Sequence, residues 1–310
     1  MNKLAVDGKT FTFIDEGPDS ASIGEASPSS VGSPAPEQAV GRSTAQPAAG
    51  EPSIDESHGE PPIVLLHGFP LHNGIWADVA ARLKPFHRVI RPNLRGFGTF
   101  TSDEPFDMDA LAGDLRVLLR GLGIDQFILA GLSMGGYVAL SYMDQWADEL
   151  LAVALVNSRT SSDSAEARAS RDAMAETARR RGTPTVVASM HSKMLAPHAY
   201  QNLPVESETL LRIMLDTPAT TIRHALRAMR DRKDYTRIFE QFSRPLLVVA
   251  GEEDQIVSGD ETRRLCELHP HCQLEMLAGC GHMSPLESPE RVANSMLELS
   301  RSVKRASLWN

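Results

Sequence analysis

Residues Phe127-Ile128-Leu129-Ala130-Gly131-Leu132-Ser133-Met134-Gly135-Gly136 constrain this chain more than any other stretch. An apolar run of strand length passes straight into Gly-x-Ser-x-Gly, and an amphipathic segment with helical spacing follows from Tyr137 to Trp146. A serine on so tight a strand-to-helix turn takes strained backbone angles. Gly131 and Gly135, two residues to either side, leave room that a Cβ would deny. The turn lifts the Ser133 hydroxyl clear of a sheet, at the N-terminus of a helix whose dipole favours nearby negative charge. Gly-x-Ser-x-Gly is common by chance, but the strand before it and the helix after it make Ser133 a candidate nucleophile.

The surrounding pattern predicts an α/β fold. Residues 4–16 read as a hairpin turning at Asp7-Gly8, with Thr10 to Ile14 alternating polar and apolar. Pro62 to Leu66 and Pro245 to Ala250 are continuous apolar runs, the mark of parallel strands buried on both faces. Further strands are expected at Arg88–Arg91, Leu151–Val156 and Gln273–Leu277, alternating with helices over Ile75–Leu83 and 259–269. Met108, Leu111, Leu115, Leu118 and Leu122 step by three and four, so they form one stripe of a helix packed on the sheet. A last helix has Ser288 as N-cap, Pro289 at its first position, and Val292, Met296 and Leu299 on its buried side. Strands alternating with helices give a mostly parallel sheet covered on both faces.

Two segments break the alternation. From Asp19 to about Glu60 the chain is Ser, Ala, Pro, Gly and Glu with few large apolar residues. Such a segment cannot bury enough surface to offset its ordering entropy, so 19–60 reads as a disordered spacer. Between about Arg159 and Thr236 no strand signal appears, and Thr217-Pro218 opens a helix with Ile222, Leu226 and Met229 on one face. A helical block between two late strands sits above the C-terminal edge of the sheet, where ligands bind in open α/β folds, and is expected to be a lid. The expected layout is an N-terminal hairpin of the core over 1–18, the spacer over 19–60, core over 61–158 and lid over 159–236. Core then resumes over 237–303, and 304–310 form a flexible tail.

Composition excludes several partners. The 310 residues carry a formal charge of −9, which argues against nucleic acid, since phosphate binding needs clustered Lys and Arg. No apolar run approaches the ~18 residues of a membrane span, and the N-terminus lacks the apolar core of a signal peptide. Cys266, Cys272 and Cys280 are odd in number without metal-like spacing, so free thiols, a reducing compartment and a cytoplasmic location are expected. No metal or cofactor is expected.

A serine hydroxyl needs a base. Gly279-Cys280-Gly281-His282-Met283, directly after the last strand, lets a loop fold over and aim His282 at the sheet edge. That imidazole in turn needs a carboxylate on its other nitrogen. Gly251-Glu252-Glu253-Asp254 offers three, and Asp254 is the choice, because three residues past the glycine the chain has turned over the sheet edge. Two backbone amides are needed for an oxyanion. Met134 follows the nucleophile, and Phe69 lies in His67-Gly68-Phe69-Pro70, where Pro70 has no N–H to offer. His67 is expected to brace that loop by hydrogen bonding. In the lid, Val186, Val187, Met190 and Met194 share a helical face, and Met190 and Met194 are candidate substrate contacts, flexible enough to fit more than one acyl group. The many lid arginines, including Arg168, Arg171 and Arg179 to Arg181, read as a solvated face.

These motifs, in this order, resemble the α/β-hydrolase fold of the capped esterase and lactonase kind. Their wording is most similar to 3-oxoadipate enol-lactonases and cofactor-free haloperoxidase-like esterases. The resemblance covers residues 4–18 and 61–302. It departs at Asn93-Leu94-Arg95-Gly96-Phe97-Gly98, where relatives often carry Asp-x-x-Gly-x-Gly with His in the fifth place. It implies a serine hydrolase acting on a small-molecule ester or lactone, with Ser133, Asp254 and His282 as triad. An enol-lactonase-like enzyme, a C–C bond hydrolase, an acyltransferase and a slow-turnover ligand receptor keep the same residues and stay open as alternatives.

Overall fold

Successive residues of a strand point to opposite sides, and the buried apolar side chains sort accordingly into two clusters on the faces of one eight-stranded sheet. Val64, Leu66, Leu129, Leu155 and Val248 enter one cluster, while Ile63, Leu65, Ile128, Ala154 and Val249 enter the other. The computed structural model describes residues 1–18 and 60–307. The spacer expected over 19–60 therefore lies outside the described residues, apart from Glu60.

The strands are β1 (Asn2–Val6), β2 (Lys9–Glu16), β3 (Ile63–Leu66), β4 (Val89–Pro92), β5 (Phe127–Leu132), β6 (Leu150–Val156), β7 (Leu246–Gly251) and β8 (Cys272–Leu277). They lie in the order β1-β2-β4-β3-β5-β6-β7-β8. β1 and β2 form the expected hairpin, β2 runs antiparallel to β4, and all other pairs are parallel.

The helices are α1 (Ala77–Leu83), α2 (Met108–Gly121), α3 (Met134–Trp146), α4 (Ala165–Arg181), α5 (Thr183–Met190) and α6 (Ala199–Asn202). They continue with α7 (Pro204–Leu215), α8 (Ala219–Asp231), α9 (Thr236–Gln241), α10 (Gly259–Glu267), α11 (Ser284–Glu287) and α12 (Pro289–Ser307). α2 and α3 cover one face through Leu111, Leu115, Leu118, Val138 and Leu140, and α1 and α12 cover the other through Val79, Leu83, Val292, Met296 and Leu299. Asp107 caps α2 by accepting from Ala110 N–H at 2.7 Å. That cap is worth about 1 kcal/mol, whereas each fully buried leucine of the stripe contributes roughly 1.5–3 kcal/mol. Packing, more than capping, holds α2 on the sheet.

Between β6 and β7 the chain leaves the sheet for the helices α4 to α9, and no strand interrupts them. This block straddles the sheet edge: Val186 joins the first cluster, Val187 the second, and Met190 packs against both. α12 continues to Ser307, into the segment expected to be tail.

The expectation of three free thiols is corrected. Cys266 and Cys272 form a disulfide with their Cα atoms 5.4 Å apart. α10 ends at Glu267, and the turn closes as Cys272 N–H donates to His269 O at 3.1 Å. That turn returns the chain beside the helix end and brings the two residues within bridging range. Cys280 alone stays a free, buried thiol, and burial pushes it up to about 11. Among the described residues no helix is long and apolar enough to cross a membrane.

Candidate active site

Ser133 sits between β5 and α3 with φ 52° and ψ −114°. A non-glycine residue held there stores on the order of 1–3 kcal/mol, so the surroundings must enforce it. They do so by close backbone approach. A Cβ on Gly131 would meet Gly135 O at 2.3 Å, and one on Gly135 would meet Leu66 O at 2.6 Å. Ser133 N–H donates to Val156 O at 2.8 Å, and its carbonyl accepts from the Ser158 hydroxyl at 2.9 Å. Serine at a helix N-cap ordinarily bonds the first helical amides. Here the side chain makes no such bond, and Oγ lies 3.0 Å from His282 Nε2.

His282 Nδ1 lies 2.8 Å from Asp254 Oδ2. The other carboxylate oxygen accepts from the amides of Ile256 at 2.7 Å and Val257 at 3.0 Å, and Asn157 Nδ2 donates to Oδ2 at 2.9 Å. The Asp254 side chain is 0% exposed and that of His282 2%, so water does not screen the pair. Burial pushes the Asp254 carboxyl up, but His282 and the donors outweigh it and hold the group below the usual carboxylate range. An ionised carboxylate only accepts. The imidazole proton therefore sits on Nδ1, and Nε2 is free to accept from the Ser133 hydroxyl. Glu252 and Glu253, by contrast, are exposed.

The loop after β3 abuts the serine. A Cβ on Gly68 would stand 3.2 Å from Ser133 Cβ. Among the described residues nothing accepts from Phe69 N–H, and Met134 is the first residue of α3, where helix geometry leaves the amide without an acceptor. Both amides belong to segments that meet at Ser133. His67 braces the loop as expected: Leu94 N–H donates to its Nε2 at 3.0 Å, so Nδ1 carries the proton and donates to Gly68 O at 2.9 Å. Complete burial pushes its pKa down to about 3, leaving it neutral.

Met190 and Met194, the two candidate substrate contacts, are placed differently. Met190 is half-buried between the two clusters. Met194 is 0% exposed with its side chain in the second cluster, and it reaches the site through its carbonyl, which accepts from His282 N–H at 2.9 Å. Of the arginines in the helical block, Arg179 and Arg180 are exposed and paired with Glu176, as expected of a solvated face. Arg171 is tied to Asp163 instead.

Sequence reasoning missed the residues that hold this chain of bonds in place. Asn157 directly follows β6 with φ 47° and bonds Asp254, Gly281 O at 3.1 Å and the Ser284 hydroxyl. Ser158 and Glu287 were missed too. The one available signal was an asparagine directly after a buried strand, since asparagine tolerates positive φ better than other non-glycine residues.

The sequence matches the model of the alpha/beta hydrolase family over residues 63–295. It is 27% identical to 3-oxoadipate enol-lactonase 1 of Acinetobacter baylyi, over 71% of this chain and 80% of that protein. Among solved structures, a malate-bound thermophilic esterase from Thermogutta terrifontis superposes with a TM-score of 0.80 at 28% identity, covering 98% of this chain and 99% of that one. The enol-lactonase from Burkholderia xenovorans LB400 shares the fold, with a TM-score of 0.77 at 20% identity over 96% of this chain and 99% of its own.

Proposed function

The chain belongs to the alpha/beta hydrolase family, and on that premise we propose that it is a serine hydrolase cleaving a carboxylic ester or lactone through an acyl-enzyme intermediate. The observation that carries this reading is His282, set between Ser133 Oγ at 3.0 Å and the Asp254 carboxylate at 2.8 Å. Ser133 Oγ attacks the acyl carbon while its proton passes to His282 Nε2, and Asp254 stabilises the imidazolium. The amides of Met134 and Phe69 receive the oxyanion, each such donor being worth about 10²–10³-fold in rate. His282 then protonates the leaving alkoxide, which departs from an ester or stays tethered in a lactone. A water molecule, deprotonated by the same imidazole, attacks the acyl-enzyme and restores Ser133.

The helical block over 159–236 is proposed as the lid that sets acyl size, with Met190 turned to the substrate. A small, largely neutral substrate fits best, because Arg171, Arg179, Arg180, Arg230 and Arg232 already pair with carboxylates. The 27% identity to an enol-lactonase favours a second reading, an enol-lactone bearing a carboxylate. One experiment tests both. Ser133→Ala should lower turnover of short 4-nitrophenyl esters by several orders of magnitude, roughly the 10⁶-fold of triad removal, and abolish labelling by a fluorophosphonate. A mutant keeping a tenth of the activity rejects the nucleophile. Multiple rapid turnovers by the wild type separate an enzyme from a ligand receptor, and loss of activity on an anionic lactone alone in a lid Arg→Ala variant selects the second reading.

A further inference from the structure

Glu287 closes α11 just after the loop that bears His282, and backbone amides surround its carboxylate. Gly281 N–H donates to both oxygens at 3.0 Å, Met283 N–H to Oε1 at 3.2 Å, and Ala196 N–H to Oε2 at 2.8 Å. Two of these amides flank His282 in sequence. The third belongs to the helical block. Among the described residues no lysine or arginine pairs with this carboxylate, so the group is held by main chain rather than by a counter-charge. Burial, together with the Asp254 charge, pushes its carboxyl above the usual range, although the three amides pull the other way.

The backbones around it are in contact. A Cβ on Gly281 would meet Ala196 N at 2.4 Å and Leu195 C at 2.5 Å, and one on Gly251 would meet Gly281 O at 2.2 Å. The His282 loop is thus pressed between the end of β7, which leads to Asp254, and the segment Met194–Ala196 of the block. His282 N–H itself donates to Met194 O at 2.9 Å. His282 is therefore aligned by two connections to the block, one through its own amide and one through Glu287.

We infer that Glu287 is a positioning residue for His282, and that it couples the seating of the helical block to the alignment of His282 with Ser133 and Asp254. The inference rests on the hydrolase reading above. Without the carboxylate, the Gly281 and Met283 amides lose their acceptor and the loop gains freedom to rotate. A drift of His282 by ~1 Å costs about 10²-fold in a positioned reaction.

The test compares wild type, Glu287→Gln, Glu287→Asp and Ser133→Ala on a short 4-nitrophenyl ester. It reads kcat and KM separately, kcat/KM against pH, and the downfield proton NMR signal of His282 Nδ1–H. Gln keeps the shape but turns an NH₂ group towards amides that need an acceptor. Glu287→Gln should lower kcat roughly 10–100-fold, leave KM within about twofold, displace the acid limb of the pH profile and shift or broaden the Nδ1–H signal. Glu287→Asp should fall between it and wild type, and decides by the same readouts if the glutamine variant does not fold. Wild-type kcat, pH limb and Nδ1–H signal in Glu287→Gln overturn the inference, as does a lowered thermal midpoint with none of those readouts moved. If Ser133→Ala keeps wild-type turnover, the hydrolase reading fails instead, whatever Glu287→Gln does.

Discussion

Asn157 donates to Asp254 from the end of the adjacent strand, Nδ2 to Oδ2 at 2.9 Å, onto the same carboxylate oxygen that His282 engages. Its other amide hydrogen goes to Gly281 O and its oxygen takes the Ser284 hydroxyl, so both hydrogens and the oxygen are engaged. One residue thereby ties Asp254, the loop of His282 and the start of α11 to the end of β6.

Substitution at 157 should separate alignment from charge. Asn157→Gly keeps the positive φ available and removes only the side chain, and should cost about tenfold in kcat, within the range of a misaligned catalytic group. Asn157→Asp should be far worse, because a second carboxylate beside Asp254 raises the pKa of one of them. Equal activity of the two variants at pH 7 would show that charge beside Asp254 does not matter.

His67 gives a pH signature of its own. Its folded value of about 3 lies below the ordinary 6.5, so between the two the unfolded chain binds more protons. Stability is then complete above the higher value and is lost as pH falls towards the lower. Gln in its place can accept from Leu94 N–H and donate to Gly68 O without titrating. Denaturant unfolding at a series of pH values should give a shallower slope for His67→Gln across that window. An unchanged slope would mean that His67 is not buried neutral.

The disulfide closes a short loop, with a sequence separation of 6 between Cys266 and Cys272. The chain-entropy estimate for so small a loop is about 2 kcal/mol. It lies where β8 begins, whereas Ser133 and His282 follow the C-terminal ends of their strands. Replacing both cysteines by serine, or adding a reductant, should lower the stability by about that amount and leave kcat unchanged. A fall in kcat at full folding would tie the bridge to the site.

The two lid methionines should respond differently. Met194→Ala empties a fully buried position and should cost about 2–5 kcal/mol in stability. Met190→Ala, at a half-buried position facing both clusters, should move the acyl-chain optimum of 4-nitrophenyl esters towards longer chains. An unmoved optimum would take Met190 out of the substrate pocket.

The central strands β3, β5, β6 and β7 were legible because they are apolar on both faces, and the stripe from Met108 to Leu118 because a helix must bury one side. Ser133, Asp254 and His282 were legible because each follows a strand end with glycine nearby. What stayed hidden acts across long stretches of chain and has no local signature. Asn157 meets Asp254 and Gly281 from sequence separations of 97 and 124, and Glu287 meets Ala196 from 91. The cysteine pair was hidden for a different reason. Pairing depends on where the turn after α10 returns the chain, and counting thiols does not reveal that.

Among the described residues β2 and β3 follow one another in sequence without being neighbours in the sheet, for β4 lies between them. Val89 is opposite Glu16 on one side and Ile63 on the other. The end of β2 and the start of β3 are therefore two strand spacings apart, about 10 Å, a distance that four extended residues can reach at roughly 3.3–3.6 Å each. That gap opens at the floor of the sheet, away from the edge where Ser133 stands. Shortening the chain there, or exchanging it for a whole folded domain, should leave the hydrolytic end unchanged, and a protein fused there should be carried as cargo.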